Sequence, residues 1–110
     1  MIKVSLSCDC DGLFCSLEAS GHAGYDVKGK DIVCAGASSL LQSALLSIEK
    51  HIGKKNIICE NDFLKWEIPF KASFENRQTA HIIIDTIFLG LKEISRYYPK
   101  LLKVSIKNKT

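Results

Sequence analysis

Apolar and polar residues alternate at the start of the chain, with Ile2, Val4 and Leu6 interleaved by Lys3, Ser5 and Ser7. A period of two marks a strand with one buried face. Leu13, Cys15, Leu17 and Ala19 repeat it after Asp11-Gly12, and the two runs predict a β-hairpin. From Ala37 to Ile52 the period lengthens: Leu41, Ala44, Leu45, Ile48 and Ile52 fall at helical spacing, and Gly53 supplies a stop. A second hairpin is predicted from Ile57-Ile58-Cys59, a turn at Asn61-Asp62, and Leu64, Trp66 and Ile68 alternating with Lys65 and Glu67 up to Pro69. Arg77 to Tyr98 carries Ala80, Ile84, Ile87, Phe88, Leu91 and Ile94 at three- and four-residue intervals, with Lys92 and Arg96 near its end and Pro99 beyond it. Leu102, Val104 and Ile106 then alternate with Lys103, Ser105 and Lys107.

The order is therefore ββαββαβ. The simplest way to bury one face of every element is an α+β two-layer sandwich, a mostly antiparallel five-stranded sheet with both helices on one face. A chain of 110 residues suits one domain, 1–110. With 46% hydrophobic and 25% charged residues the composition is that of a packed globular protein and excludes a disordered one.

The formal charge of +3 is a mild surplus, too dispersed to require direct contact with nucleic acid. The opening residues Met1 to Ser5 hold no apolar stretch of signal-peptide length, and no run approaches the ~18 apolar residues of a membrane span. A cytoplasmic protein with no membrane partner is expected. Five cysteines is an odd number, and in a reducing compartment thiols stay free, so a disulfide framework is not expected.

The segment from Ser20 to Val33 follows neither period and carries Gly21, Gly24 and Gly29. Loops of this length in compact domains tend to be functional, and spaced glycines suit a flap that closes over a ligand. An ordinary surface excursion is the alternative. Cys34 follows it and precedes Ala35-Gly36-Ala37-Ser38-Ser39, at the predicted passage from loop to helix. There the unpaired amides and the helix dipole favour thiolate over thiol, and the same amides can hold an oxyanion.

A thiol nucleophile needs a base, and the chain offers His22, His51 and His81. His51 lies roughly 25 Å along the helix from Cys34 at 1.5 Å per residue. His81 adjoins the apolar stripe of the second helix, where a structural role is expected. His22 is twelve residues from Cys34, a separation that reaches roughly 40 Å when extended, so the loop can fold back and join the two.

Gly21-His22, Tyr25-Asp26, Gly29 and Asp31-Ile32-Val33-Cys34-Ala35-Gly36 together resemble the signature of the bacterial ribosomal-processing cysteine proteases. The likeness extends over most of the chain, element by element. It implies that His22 and Cys34 form the catalytic dyad, that a mobile loop at about 20–34 closes over substrate, and that the enzyme is a homodimer. It also implies the substrate: the N-terminal extension of a precursor, ribosomal protein twenty-seven of the large subunit, removed during ribosome maturation. No cofactor or metal is implied.

In the expected mechanism His22 takes the thiol proton, Cys34 attacks the scissile carbonyl, amides near Cys34 and Ala35 stabilise the oxyanion, and water releases the acyl group. Asp31 either orients His22 or is a solvated carboxylate at the helix start, and Asp26 is a weaker candidate for the same task. Ser38 can donate to substrate or bond locally to the backbone.

Other readings stay open. Cys8, Cys10 and Cys15 can begin a zinc site, although their spacing matches no familiar pattern, and Cys15 and Cys59 are read as small buried hydrophobes. A non-enzymatic ribosome-associated binding module would use Lys100, Lys103, Lys107 and Lys109. An oxidation-sensing Cys34 is a third. Tyr25, Phe63, Trp66 and Phe70 line a specificity pocket or fill the core, and core is the default.

Overall fold

The computed structural model describes residues 1–21, 30–60 and 63–108. Among them the chain forms β1 (Ile2–Cys8), β2 (Phe14–Ser20), α1 (Lys30–His51), β3 (Ile57–Glu60), β4 (Phe63–Glu67), α2 (Phe74–Tyr97) and β5 (Leu102–Asn108). The predicted order ββαββαβ holds. The predicted turn at Asn61-Asp62 lies outside the described residues.

The strands make one mixed sheet in the order β3-β4-β2-β1-β5. Its β1/β2, β2/β4 and β3/β4 pairs are antiparallel, and β5 lies parallel to β1 with Ile2 opposite Leu102. Ile2, Val4, Leu6, Leu17, Ala19, Leu64, Trp66 and Leu102 share one core with Val33, Ala37, Leu41 and Ile48 of α1 and Ala80, Ile84 and Leu91 of α2. Trp66 is only 1% exposed, and burying each large side chain of this kind contributes about 1.5–3 kcal/mol. The opposite face carries two rows of polar cross-strand neighbours, Lys65-Glu18-Ser5-Ser105 and Ser20-Lys3-Lys103.

Glycines set the spacing of the helices. A Cβ on Gly90 would meet Leu40, and one on Gly36 would press on Ile94, so α1 and α2 approach closely at both points. Ser73 caps α2, its hydroxyl accepting from the Asn76 amide. Gly53, at φ +140°, ends α1 and donates to the Ile48 carbonyl at 3.0 Å.

Two sequence expectations are revised. Helix α1 starts at Lys30, seven residues before the predicted Ala37. Val33 is buried and extends the stripe of Ala37, Leu41, Ala44 and Ile48 backwards by one turn, so packing in the common core holds a turn beyond the predicted helix. The stretch Ile32–His51, at mean hydropathy 1.4, is also long and apolar enough by length and composition to cross a membrane. Its inner stripe is nevertheless occupied by the sheet, as in a core helix.

The β1–β2 turn is tied to α2. The Asp9 carboxylate accepts from the Asp11 and Leu13 amides, Gly12 sits at φ +77°, and Arg77 donates to Asp9 at 2.6 Å and to Asp11 at 2.7 Å. Partial burial pushes the Asp9 carboxyl up, but the Arg77 guanidinium and the turn amides outweigh it and hold it below its ordinary 3.8. A carboxyl lowered by folding adds stability above its unfolded pKa and loses it as pH falls through the folded value. Asp9→Asn is therefore expected to melt a few degrees below the parent at neutral pH, the gap closing as pH drops from about 5 to 2. Thermal unfolding across that range checks this; a gap independent of pH would exclude the carboxylate as its source.

Candidate active site

Cys34 lies at the start of the second turn of α1 and is half-buried. Residues three, four, seven and eight positions on share its face, and Ala37, Ser38, Leu41 and Gln42 line the same cavity of about 100 Å³. The sheet closes the other side. Ile2, Ala19, Ser20 and Gly21 come from the β1/β2 end, and Cys59, Glu60, Phe63 and Leu64 from the β3–β4 hairpin. The space suits about one side chain, with apolar walls and polar groups at Ser38, Gln42 and Glu60.

Gly21 and Cys34 both border this cavity, so the described chain reaches it at β2's end and again at α1. His22, Asp26 and the rest of 22–29 lie outside the described residues. Gly21 is held at φ +86°, and a Cβ there would fall on the carbonyl oxygen of Met1. Of the other expected site residues, Ser38 joins Cys34 at the cavity and Ala35 is exposed. Asp31 belongs to the first turn of α1, but its side chain lies outside the described residues.

The early start of α1 changes one part of the expected chemistry. In a helix beginning at Lys30, the amides of the second turn, those of Cys34 and Ala35 included, donate to carbonyls four residues back. They are engaged by the helix rather than left open for an oxyanion. The Ser38 hydroxyl, one turn after Cys34, is a donor that does face the cavity.

The other histidines lie elsewhere. His51 is exposed in the last turn of α1. His81 accepts from the Phe14 amide through Nδ1 at 3.0 Å and stacks on the Phe14 ring at 5.2 Å between centroids, the structural role its position predicted. His81→Leu leaves that amide without its acceptor, and is expected to cost about 1–3 kcal/mol of stability while peptide cleavage by the folded fraction stays at the parental rate. Denaturant unfolding beside a cleavage assay separates the two.

The remaining cysteines are spread out. Cys15 is buried as expected, Cys10 is exposed in the first turn, and burial together with Asp9 pushes the Cys8 thiol up, away from thiolate. No group of three potential metal ligands is gathered among the described residues. Cys59 departs from the expected buried role: it is exposed, on an edge strand paired on one side only. Trp66 fills the core as expected, whereas Phe70 is almost wholly exposed and Phe63 borders the cavity. Tyr25 lies outside the described residues.

The family profile of the cysteine protease Prp matches residues 1–103. The chain belongs to this family. It is a cysteine protease, a hydrolase of peptide bonds. The Bacillus subtilis ribosomal processing cysteine protease Prp is 27% identical over 108 residues, 96% of each chain. The Staphylococcus aureus relative of the same name is 26% identical over 107 residues, covering 97% of this chain and all of that one. Among solved structures, the S. aureus protease in complex with a substrate peptide superposes with a TM-score of 0.80 at 24% identity, over 97% of this chain and 100% of that one. A Streptococcus mutans protein superposes with a TM-score of 0.79 at 22% identity, over 99% and 96%. Both share the fold.

Proposed function

We propose that this protease removes the N-terminal extension from a large-subunit ribosomal protein precursor, with Cys34 as nucleophile and His22 as general base, acting as a cytoplasmic homodimer without cofactor. The observation that carries the reading is the cavity, which Cys34 borders from α1 while Gly21, directly before His22, borders it from β2. The similarity to proteases named for ribosomal processing, one of them solved with a substrate peptide, supports the substrate class.

His22 takes the Cys34 proton as the sulfur attacks the scissile carbonyl carbon, and the carbonyl electron pair moves to oxygen, where the Ser38 hydroxyl donates. Collapse breaks the C–N bond, and the leaving amine takes the proton from His22. A water then gives a proton to His22 and attacks the thioester, releasing the acid and the Cys34 thiol.

The test is cleavage of a peptide spanning the N-terminal extension of the same organism's ribosomal protein twenty-seven, followed by mass spectrometry. One cut is expected with the parent and none at equal enzyme with His22→Ala. An intact peptide with the folded parent protein would overturn the substrate assignment.

A further inference from the structure

Two thiols border the active-site cavity, and the proposed chemistry uses one. Cys34 reaches it from the second turn of α1 and Cys59 from the edge strand β3, around a space with room for about one side chain. Cys59 lies opposite Leu64, itself opposite the buried Ala19, which places Cys59 in a row on the helix-facing side of the sheet. Both are free thiols, Cys59 open to solvent and Cys34 half-buried. Strand β3 has four residues and one pairing partner, so it is among the cheapest elements to displace locally.

We propose that Cys59 is a resolving cysteine, which captures Cys34 as a disulfide when a hydroperoxide oxidises it and so makes inactivation of the protease reversible. The inference rests on Cys34 being the nucleophile. In the first step the Cys34 thiolate attacks one peroxide oxygen; the S–O bond forms, the O–O bond breaks, and sulfur is oxidised to sulfenic acid as the departing oxygen leaves with a proton as water or alcohol. In the second, the Cys59 thiolate attacks that sulfur. The S–S bond forms, the S–O bond breaks, and hydroxide leaves, taking up the proton Cys59 gave off to become water. Two thiols and one peroxide become a disulfide and two waters, or a disulfide, one water and an alcohol, with the peroxide as oxidant. A dithiol reductant reverses it by exchange. Without Cys59 the sulfenic acid goes on to sulfinic acid, which dithiols do not reduce.

Hydrogen peroxide titrated into the parent and into Cys59→Ser, followed by non-reducing peptide mapping and by cleavage normalised to each protein's untreated rate, tests this. The parent is expected to show a Cys34–Cys59 linked peptide with the loss of two hydrogens, and to regain nearly all its activity in dithiothreitol. Cys59→Ser is expected to regain less than about one tenth, its Cys34 found as sulfinic acid. A parent in which Cys34 becomes sulfinic as fast as in Cys59→Ser, or links to Cys8, Cys10 or Cys15 instead, overturns the proposal. The parent's peptide map needs neither a folded variant nor a working cleavage assay. Failure of the nucleophile assignment shows separately, as cleavage by untreated Cys34→Ser.

Discussion

Cys34→Ser is expected to lower peptide cleavage by about four orders of magnitude or more and to leave the fold in place. Cys34 borders the cavity and is only half-buried at the edge of the core, which at this end of the helix is made by the fully buried Val33 and Ala37. The exchange of sulfur for oxygen removes little packing, and the new hydroxyl can bond to solvent or to the carbonyl one turn back. On the proposed mechanism it removes the nucleophile, since a serine hydroxyl is far less ionised at neutral pH than a thiol and would demand more of its base. Near-parental thermal unfolding with cleavage at background is the expected pair of results. Cleavage near the parental rate would take Cys34 out of the mechanism and point to another group as nucleophile.

Gly21→Ala should be the second most damaging change, although the residue carries no reactive group. Its φ of +86° lies in the left-handed region, where a Cβ costs about 1 kcal/mol, and that Cβ would be driven onto the Met1 carbonyl, a backbone atom that cannot rotate away. Relief requires either β1 to shift at Ile2, which is buried and paired with Leu102, or the chain to change direction at Gly21. The second is the cheaper route, and it moves the point from which His22 departs. With His22 as the proposed base, misplacing it by about 1 Å can cost roughly a hundredfold in rate, and a loss of that size in kcat is expected, with stability lower by about 1–3 kcal/mol. Alkylation of Cys34 by iodoacetamide supplies the control. If His22 assists ionisation of the thiol, the variant alkylates more slowly at neutral pH and recovers at high pH, where the thiol ionises unaided. A variant with parental cleavage would show that the loop's starting direction is not critical.

The periodic segments were read well because burial is imposed locally. Ile2, Val4 and Leu6 must face one way on any strand, and Ala80, Ile84, Ile87 and Leu91 must share one side of any helix, whatever lies across from them. The start of α1 is not legible because Gly36, Ser38 and Ser39 weaken the local pattern, and the extra turn shows itself only through the burial of Val33 in the common core. Ser73 was missed as the cap of α2, although a serine three residues before Asn76 was there to be read. At the site, Cys34 and Gly21 stood out in the linear motif. Glu60 and Cys59 did not, and Phe63 was only one of four aromatic candidates, since all three reach the cavity through β4's pairing with β2, from a hairpin more than twenty residues away.

The sequence by itself determined the order of elements and the inward faces of β1, β2, β4 and the two helices, properties that neighbouring residues impose on one another through strand and helix period. Tertiary structure alone decided that β5 runs parallel to β1, that Arg77 joins Asp9 to α2, and that a second thiol borders the same cavity as Cys34. Those are choices of partner between distant segments, settled by which packing buries the common core, and a local period carries no record of them.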